Sequence, residues 1–153
     1  MTPAAVDRYA VIGNPVAHSR SPFIHRAFAL ATGQAIEYAR LECPMDGFET
    51  VLRAFAASGA RGCNVTLPFK FEALRIAAHH TARAELAGAA NTLRFDDVGW
   101  LADNTDGIGL VRGTVLEGGS LVPVIGARTD LTARVPSGRA AVLLDNSGHA
   151  AYV

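Results

Sequence analysis

The first regular pattern along the chain is Arg8-Tyr-Ala-Val-Ile-Gly13, an apolar run stopped by Gly13-Asn14-Pro15. This is the form of a short buried strand ended by turn residues. After a polar stretch, Ser21-Pro22 predicts a helix start, with serine as N-cap and proline in the first helical position. Ile24, Ala27, Phe28 and Ala31 then recur at helical spacing until Gly33. Ala35 to Leu41 fits a second strand. Asp46 is placed to cap a helix whose apolar stripe is Phe48, Val51, Leu52 and Phe55, closed by Gly59.

Gly62 to Leu67 reads as a third strand leading into Pro68, and the pattern predicts a helix from Phe69 to about His79. Thr81 is placed to cap a short helix through Leu86. Ala89 to Phe95 and Gly99 to Ala102 flank Asp96-Asp97-Val98-Gly99 and form a predicted hairpin. The turn Asn104-Thr105-Asp106-Gly107 then opens a helix beginning with Ile108, Leu110 and Val111. Strands alternating with helices, with a hairpin late in the order, predict an α/β fold: a layered domain with a mixed, mostly parallel sheet flanked by helices.

After Thr114 the pattern weakens. Leu121 to Ile125 fits a strand, Arg128 to Gly138 is polar and turn-rich, and Arg139 to Leu144 is short and apolar. A boundary is expected near Thr114 to Ser120. It separates a domain over 1–114 from a linker and an incomplete βαβ-like stub over 115–153.

Composition narrows the function classes. The 153 residues suffice for one packed domain with part of a second, and a half-hydrophobic chain is not globally disordered. Fourteen acidic residues balance fourteen basic ones, so no basic field exists to hold nucleic acid. No apolar run approaches the roughly 20 residues that span a bilayer, and Met1 to Arg8 lacks the apolar core of a secretory signal. The expectation is a cytoplasmic protein in which Cys43 and Cys63 are structural thiols. His79-His80 does not predict a metal site, because adjacent histidines point to different sides of a helix and no further ligands stand nearby.

Thirteen of the fourteen basic residues are arginine, and the only lysine is Lys70. A lysine can give up its proton where an arginine cannot. A single retained lysine therefore fits a position that needs a transferable proton, although codon bias with one survivor accounts for the composition equally well.

Four loops carry clustered small polar groups just beyond apolar strands, where open α/β sheets build their sites. In Asn14 to Ser21, the hydroxyls of Ser19 and Ser21 stand at a helix N-terminus, where orphan N–H groups favour an anion. Capping alone explains Ser21 but not Ser19. In Asn64-Val-Thr-Leu-Pro-Phe-Lys70, alternation puts Asn64 and Thr66 on one face, and Lys70 follows at a helix start that the helix dipole disfavours for a cation. Asn91 interrupts an apolar strand, either as a ligand or as a backbone hydrogen-bonding device. Asp106 lies in Asp103-Asn-Thr-Asp-Gly107, as a site carboxylate or as a helix cap. Hydroxyls, amides, one lysine and one carboxylate together are what a pocket for a small polyhydroxylated acid requires.

These segments, Tyr9-Ala-Val-Ile-Gly-Asn-Pro-Val-Ala-His-Ser-Arg-Ser-Pro-Phe-Ile-His25, Asn64 to Lys70, Gly88-Ala-Ala-Asn-Thr-Leu93 and Asp103-Asn-Thr-Asp-Gly-Ile-Gly109, closely resemble the substrate domain of shikimate dehydrogenase, in that family's order and spacing over about residues 8–112. The resemblance implies an oxidoreductase that reduces 3-dehydroshikimate to shikimate with NADPH. It implies that Ser19 and Ser21 bind the carboxylate and that Thr66, Asn91 and Asp106 bind ring hydroxyls. Lys70, paired with Asp106, would be the proton-transfer residue. A homodimer is compatible with it.

The resemblance departs from the family after Leu121. Leu121 to Ala127 is similar to the first strand and turn of an NADP-binding domain, which makes 115–153 a remnant of such a domain. Where a glycine-rich loop is expected, the chain reads Arg128-Thr-Asp-Leu-Thr-Ala-Arg-Val-Pro-Ser-Gly138. Glycines there let backbone approach a pyrophosphate, so the expectation is a substrate pocket without a working NADP site of its own. The alternatives are a non-catalytic shikimate-binding module and an inactive remnant.

Overall fold

The computed structural model describes residues 6–108 and, beyond them, strand segments at 114–117, 120–123, 142–144 and 150–152. The chain divides into two compact units, Met1–Asn104 and Thr105–Val153.

In the first unit, the elements run β1 (Asp7–Gly13), α1 (Ser21–Thr32), β2 (Ile36–Glu42), α2 (Phe48–Ala57), β3 (Gly62–Val65), α3 (Lys70–Ile76), β4 (His79–His80), α4 (Ala82–Ala87), β5 (Thr92–Arg94) and β6 (Leu101–Asp103). Six strands form one sheet in the order β2-β1-β3-β5-β6-β4. The β1–β2, β1–β3 and β4–β6 ladders are parallel, whereas β3–β5 and β5–β6 are antiparallel. The sheet is thus mixed and mostly parallel, as the pattern predicts. Parallel neighbours need crossovers, which α1 and α2 supply, while the Asp96–Gly99 turn (Gly99 N–H to Asp96 O, 3.1 Å) suffices for the antiparallel β5–β6 pair.

One face of the sheet carries the core. Ala10 and Ile12 of β1, Cys63 and Val65 of β3 and Leu93 of β5 pack with Phe48 and Leu52 of α2, Phe69, and Ala73 of α3. Both cysteines are buried free thiols. The opposite face holds α1, whose contacts are chiefly with β2. Gly33 ends α1 in the left-handed conformation (φ 67°) and donates its N–H to Ala29 O, a geometry that side chains disfavour. Among the described residues no helix is long and apolar enough to cross a membrane.

Local chemistry departs from the pattern in four places. α1 begins at Ser21 itself, with Arg20 as a cap residue lacking a side-chain cap bond, so Ser21 is not the N-cap. Asp46 does not cap α2; the chain turns at Pro44 (Gly47 N–H to Pro44 O, 3.0 Å), which leaves Gly47 in the cap position. The third strand stops at Val65 instead of Leu67. α3 ends at Ile76, short of His79, because Ala77 is extended and His79 donates to Trp100 O at 3.0 Å. His79-His80 is instead a two-residue strand parallel to β6. Thr81 caps α4 as predicted, accepting from Ala84 N–H at 3.3 Å.

In the second unit, 106–108 is a helical turn. β7 (Thr114–Glu117) pairs antiparallel with β8 (Ser120–Pro123), and β9 (Val142–Leu144) pairs antiparallel with β10 (Ala150–Tyr152). The Arg128–Gly138 tract, the helix a βαβ unit would place before Leu144, and the continuation of the 106–108 helix through Leu110 and Val111 all lie outside the described residues.

Candidate active site

The site loops converge because the carboxyl ends of parallel β1 and β3 are tied to their neighbours through backbone. Thr66 N–H donates to Ile12 O (2.9 Å) and Asn14 N–H to Leu67 O (3.0 Å), which locks the loop after β1 against the loop after β3. A Cβ at Gly13 would collide with the Thr66 methyl, so glycine permits this approach. Val65 N–H donates to Asn91 O (2.8 Å), Ala90 N–H to Lys70 O (2.9 Å) and Asn91 N–H to Asp103 O (3.0 Å). Thr66, the first residue of α3 and the start of β5 are thereby gathered at one end of the sheet.

Ser19 and Ser21 are in direct contact. Ser19 Oγ donates to Ser21 Oγ at 3.1 Å and accepts from Ser21 N–H at 3.3 Å. The loop is held from outside by Arg40 of β2, whose Nε and terminal nitrogen donate to Ser19 O at 2.8 and 2.6 Å. Two hydroxyls at the start of a twelve-residue helix form an arrangement suited to a carboxylate. Asp106 is the first residue of the 106–108 turn and belongs to the second unit, so its pairing with Lys70 stands as an expectation of the resemblance.

Beneath these loops, on the sheet face opposite the core, Tyr38 joins Asn64, Thr92 and Asn91 in one polar network. Tyr38 stacks face to face on His25 of α1, with centroids 4.1 Å apart at 5°. Its hydroxyl donates to Asn64 Oδ1 at 2.6 Å. Asn64 Nδ2 donates to Thr92 Oγ1 (3.2 Å) and to Asn91 O (3.3 Å), and Thr92 Oγ1 donates to Asn91 Oδ1 at 2.9 Å. Burial pushes the Tyr38 phenol above its ordinary range, so it stays protonated, and burial lowers His25. Asn64 was visible in the sequence through the alternation that puts it on one face with Thr66. Tyr38 gave no signal, because a tyrosine in a strand is ordinary.

A cleft of about 560 Å³ opens on this face, with Tyr9, His25, Tyr38, Asn64, Thr92 and Phe95 in its wall. Ser19, Ser21, Thr66, Lys70 and Asn91 do not line it. The polar groups suited to a hydroxylated acid are at the strand ends, not in this mostly apolar cleft.

Asp103 closes the site end of the sheet. Its carboxylate accepts from Thr81 Oγ1 (2.7 Å), Arg83 Nε (2.6 Å), a second Arg83 nitrogen and Asn104 N–H (2.8 Å). The Arg83 hydrogen bonds in particular hold its pKa down, at about 2. An unfolded aspartate titrates near 3.9. The folded state therefore binds fewer protons in this range, and the resulting stability is full above about pH 4 and lost as pH falls through about 2. Thermal melts from pH 5 to 2 should show this decline, and Asp103→Asn should flatten it; an unchanged slope in the variant would reject the assignment.

Comparison with known proteins agrees with the geometry. A family model described as the shikimate dehydrogenase substrate binding domain matches residues 11–93. A shikimate dehydrogenase (NADP(+)) of Methylibium petroleiphilum is 61% identical over 133 residues, covering 79% of this chain and 45% of the relative. One from Alkalilimnicola ehrlichii is 50% identical over 149 residues, covering 92% of this chain and 55% of the relative. The crystal structure of Mycobacterium tuberculosis shikimate dehydrogenase superposes with a TM-score of 0.65 at 44% identity, covering 70% of this chain and 41% of that one. The chain thus spans about half the length of the relatives it matches. Through a domain model that covers more than half its residues, and a sheet that superposes on a solved member, the chain belongs to the shikimate dehydrogenase family.

Proposed function

We propose that residues 1–114 bind shikimate and 3-dehydroshikimate for an NADP-dependent oxidoreductase that interconverts them in aromatic amino acid biosynthesis. The observation that carries this reading is the convergence of the Ser19–Ser21 pair, Thr66, the start of α3 at Lys70, and Asn91 at the carboxyl ends of β1 and β3.

In this reading the substrate carboxylate accepts from the Ser19 and Ser21 hydroxyls, replacing their mutual bond. Thr66, Asn91 and Asp106 pair with ring hydroxyls, so an analogue lacking a hydroxyl leaves a site group unpartnered and is rejected. Lys70, assisted by Asp106, moves the proton at the carbinol oxygen that becomes the ketone. A bound nicotinamide dinucleotide would supply hydride chemistry. The residues that the resemblance assigns to it, from Leu121 onward, lie outside those whose side chains the structure describes. Arg128 and Thr129, in place of glycines, favour a second reading: a shikimate-binding module without turnover.

Titration calorimetry of shikimate into the chain tests the shared part of both readings. Saturable binding is expected, weakened about ten- to hundredfold in Ser19→Ala, which removes a hydrogen bond to a charged group. A folded chain that gives no saturable heat would sink both. Shikimate binding without NADP⁺ binding would select the module.

A further inference from the structure

We propose that Tyr38 is a positioning residue: its hydroxyl, acting through Asn64 and Thr92, fixes which end of the Asn91 amide is presented to a substrate hydroxyl. This rests on the reading of Asn91 as a hydroxyl-binding residue.

The direction of the chain follows from which groups can donate. Asn91 O is a carbonyl and can only accept, so the atom of Asn64 that meets it at 3.3 Å must be Nδ2. That choice turns Asn64 Oδ1 toward Tyr38, and at 2.6 Å the phenol must be the donor. Thr92 Oγ1 accepts from the same Nδ2 and donates its one hydrogen to Asn91 Oδ1 at 2.9 Å. Asn91 is then held with its oxygen to Thr92 and its nitrogen turned the other way. A site built so presents a donor, which suits a hydroxyl oxygen as acceptor.

The position of Tyr38 makes this possible. β1 separates β2 from β3, and Tyr38 lies in register with Tyr9, one step of the pleat from the Val11–Asn64 pair. The phenol therefore crosses over a strand to reach Asn64. The stack on His25 restrains the ring.

Tyr38→Phe tests this, because it keeps the ring and its stack and removes only the hydroxyl. In the full chain, shikimate binding should weaken about tenfold. Binding of cyclohexene-1-carboxylate, which lacks the ring hydroxyls, should change less than about twofold if Asn91 is what Tyr38 serves. The shikimate loss should vanish in an Asn91→Ala background. Equal losses on both ligands, or losses that simply add, would overturn the proposal. If Asn91→Ala leaves shikimate binding intact, the reading of Asn91 as a ligand is what fails. The Asn91 side-chain amide resonances of the ligand-free chain then decide the relay: they should shift in Tyr38→Phe, and unmoved resonances would reject it.

Discussion

Replacing Lys70 with alanine is expected to lower turnover by about 10² to 10⁴, the usual contribution of a positioned acid–base group, while leaving the fold intact. The assay needs a competent nucleotide site, so the substitution belongs in a chimera. Residues 1–108 of this chain would be joined to the remaining portion of the Methylibium relative, which is 61% identical where the two align. Lys70 is the first residue of α3, where the helix dipole disfavours a cation. Its backbone contribution, the carbonyl that accepts from Ala90 N–H at 2.9 Å, survives any side-chain change. If Lys70 transfers the proton in the transition state, the loss should fall on kcat, with the KM for shikimate little altered. NADPH absorbance under saturating shikimate reads this directly. Full turnover in the alanine variant would remove Lys70 from the mechanism, and a loss confined to KM would make it a binding residue.

Phe48→Ala should cost about 3 to 5 kcal/mol, a large part of the stability of a domain this size. Phe48 is 1% exposed and stacks on Phe69, with ring centroids 4.7 Å apart at 10°. Alanine removes most of a large side chain from a face already filled by Ile12, Leu52 and Val65, and the flanking strands cannot close the space. The consequence also reaches the site, since Phe69 immediately precedes Lys70 and donates its own N–H to Thr66 O at 3.1 Å. Urea unfolding should show a lower midpoint with an unchanged slope. Phe48→Leu, which keeps most of the volume, should cost under about 1.5 kcal/mol. A loss below about 1 kcal/mol in the alanine variant would mean that Phe48 is not the anchor of this core.

Much of the fold was legible because its signals are local. The apolar run into Gly13-Asn14-Pro15, the stripe from Phe48 to Phe55, Thr81 before a short helix and the Asp96–Gly99 turn each act within a few residues, and each produced its predicted element. Ser21 and Asp46 failed as caps for a different reason. Either can cap a helix, but the preceding backbone decides which residue stands in that position. The chain reached it one residue early at Arg20 and one late at Gly47. β4 was missed because two histidines carry no period; only the β6 backbone makes them a strand.

For the candidate site, the sequence by itself determined the chemical inventory: which hydroxyls, amides, lysine and carboxylate stand beyond which strands, and the family whose motifs they spell. The tertiary structure decided which of those groups meet. Thr66 under Gly13 and Asn91 beside the start of α3 follow from strand order and register, whereas the Ser19–Ser21 contact is local to the loop before α1. The path from Tyr38 through Asn64 and Thr92 to Asn91 joins residues 53 positions apart, because β2, β1, β3 and β5 lie side by side. Propensity and spacing act along the chain, whereas hydrogen bonds between side chains on neighbouring strands depend on a sheet order that no local pattern encodes.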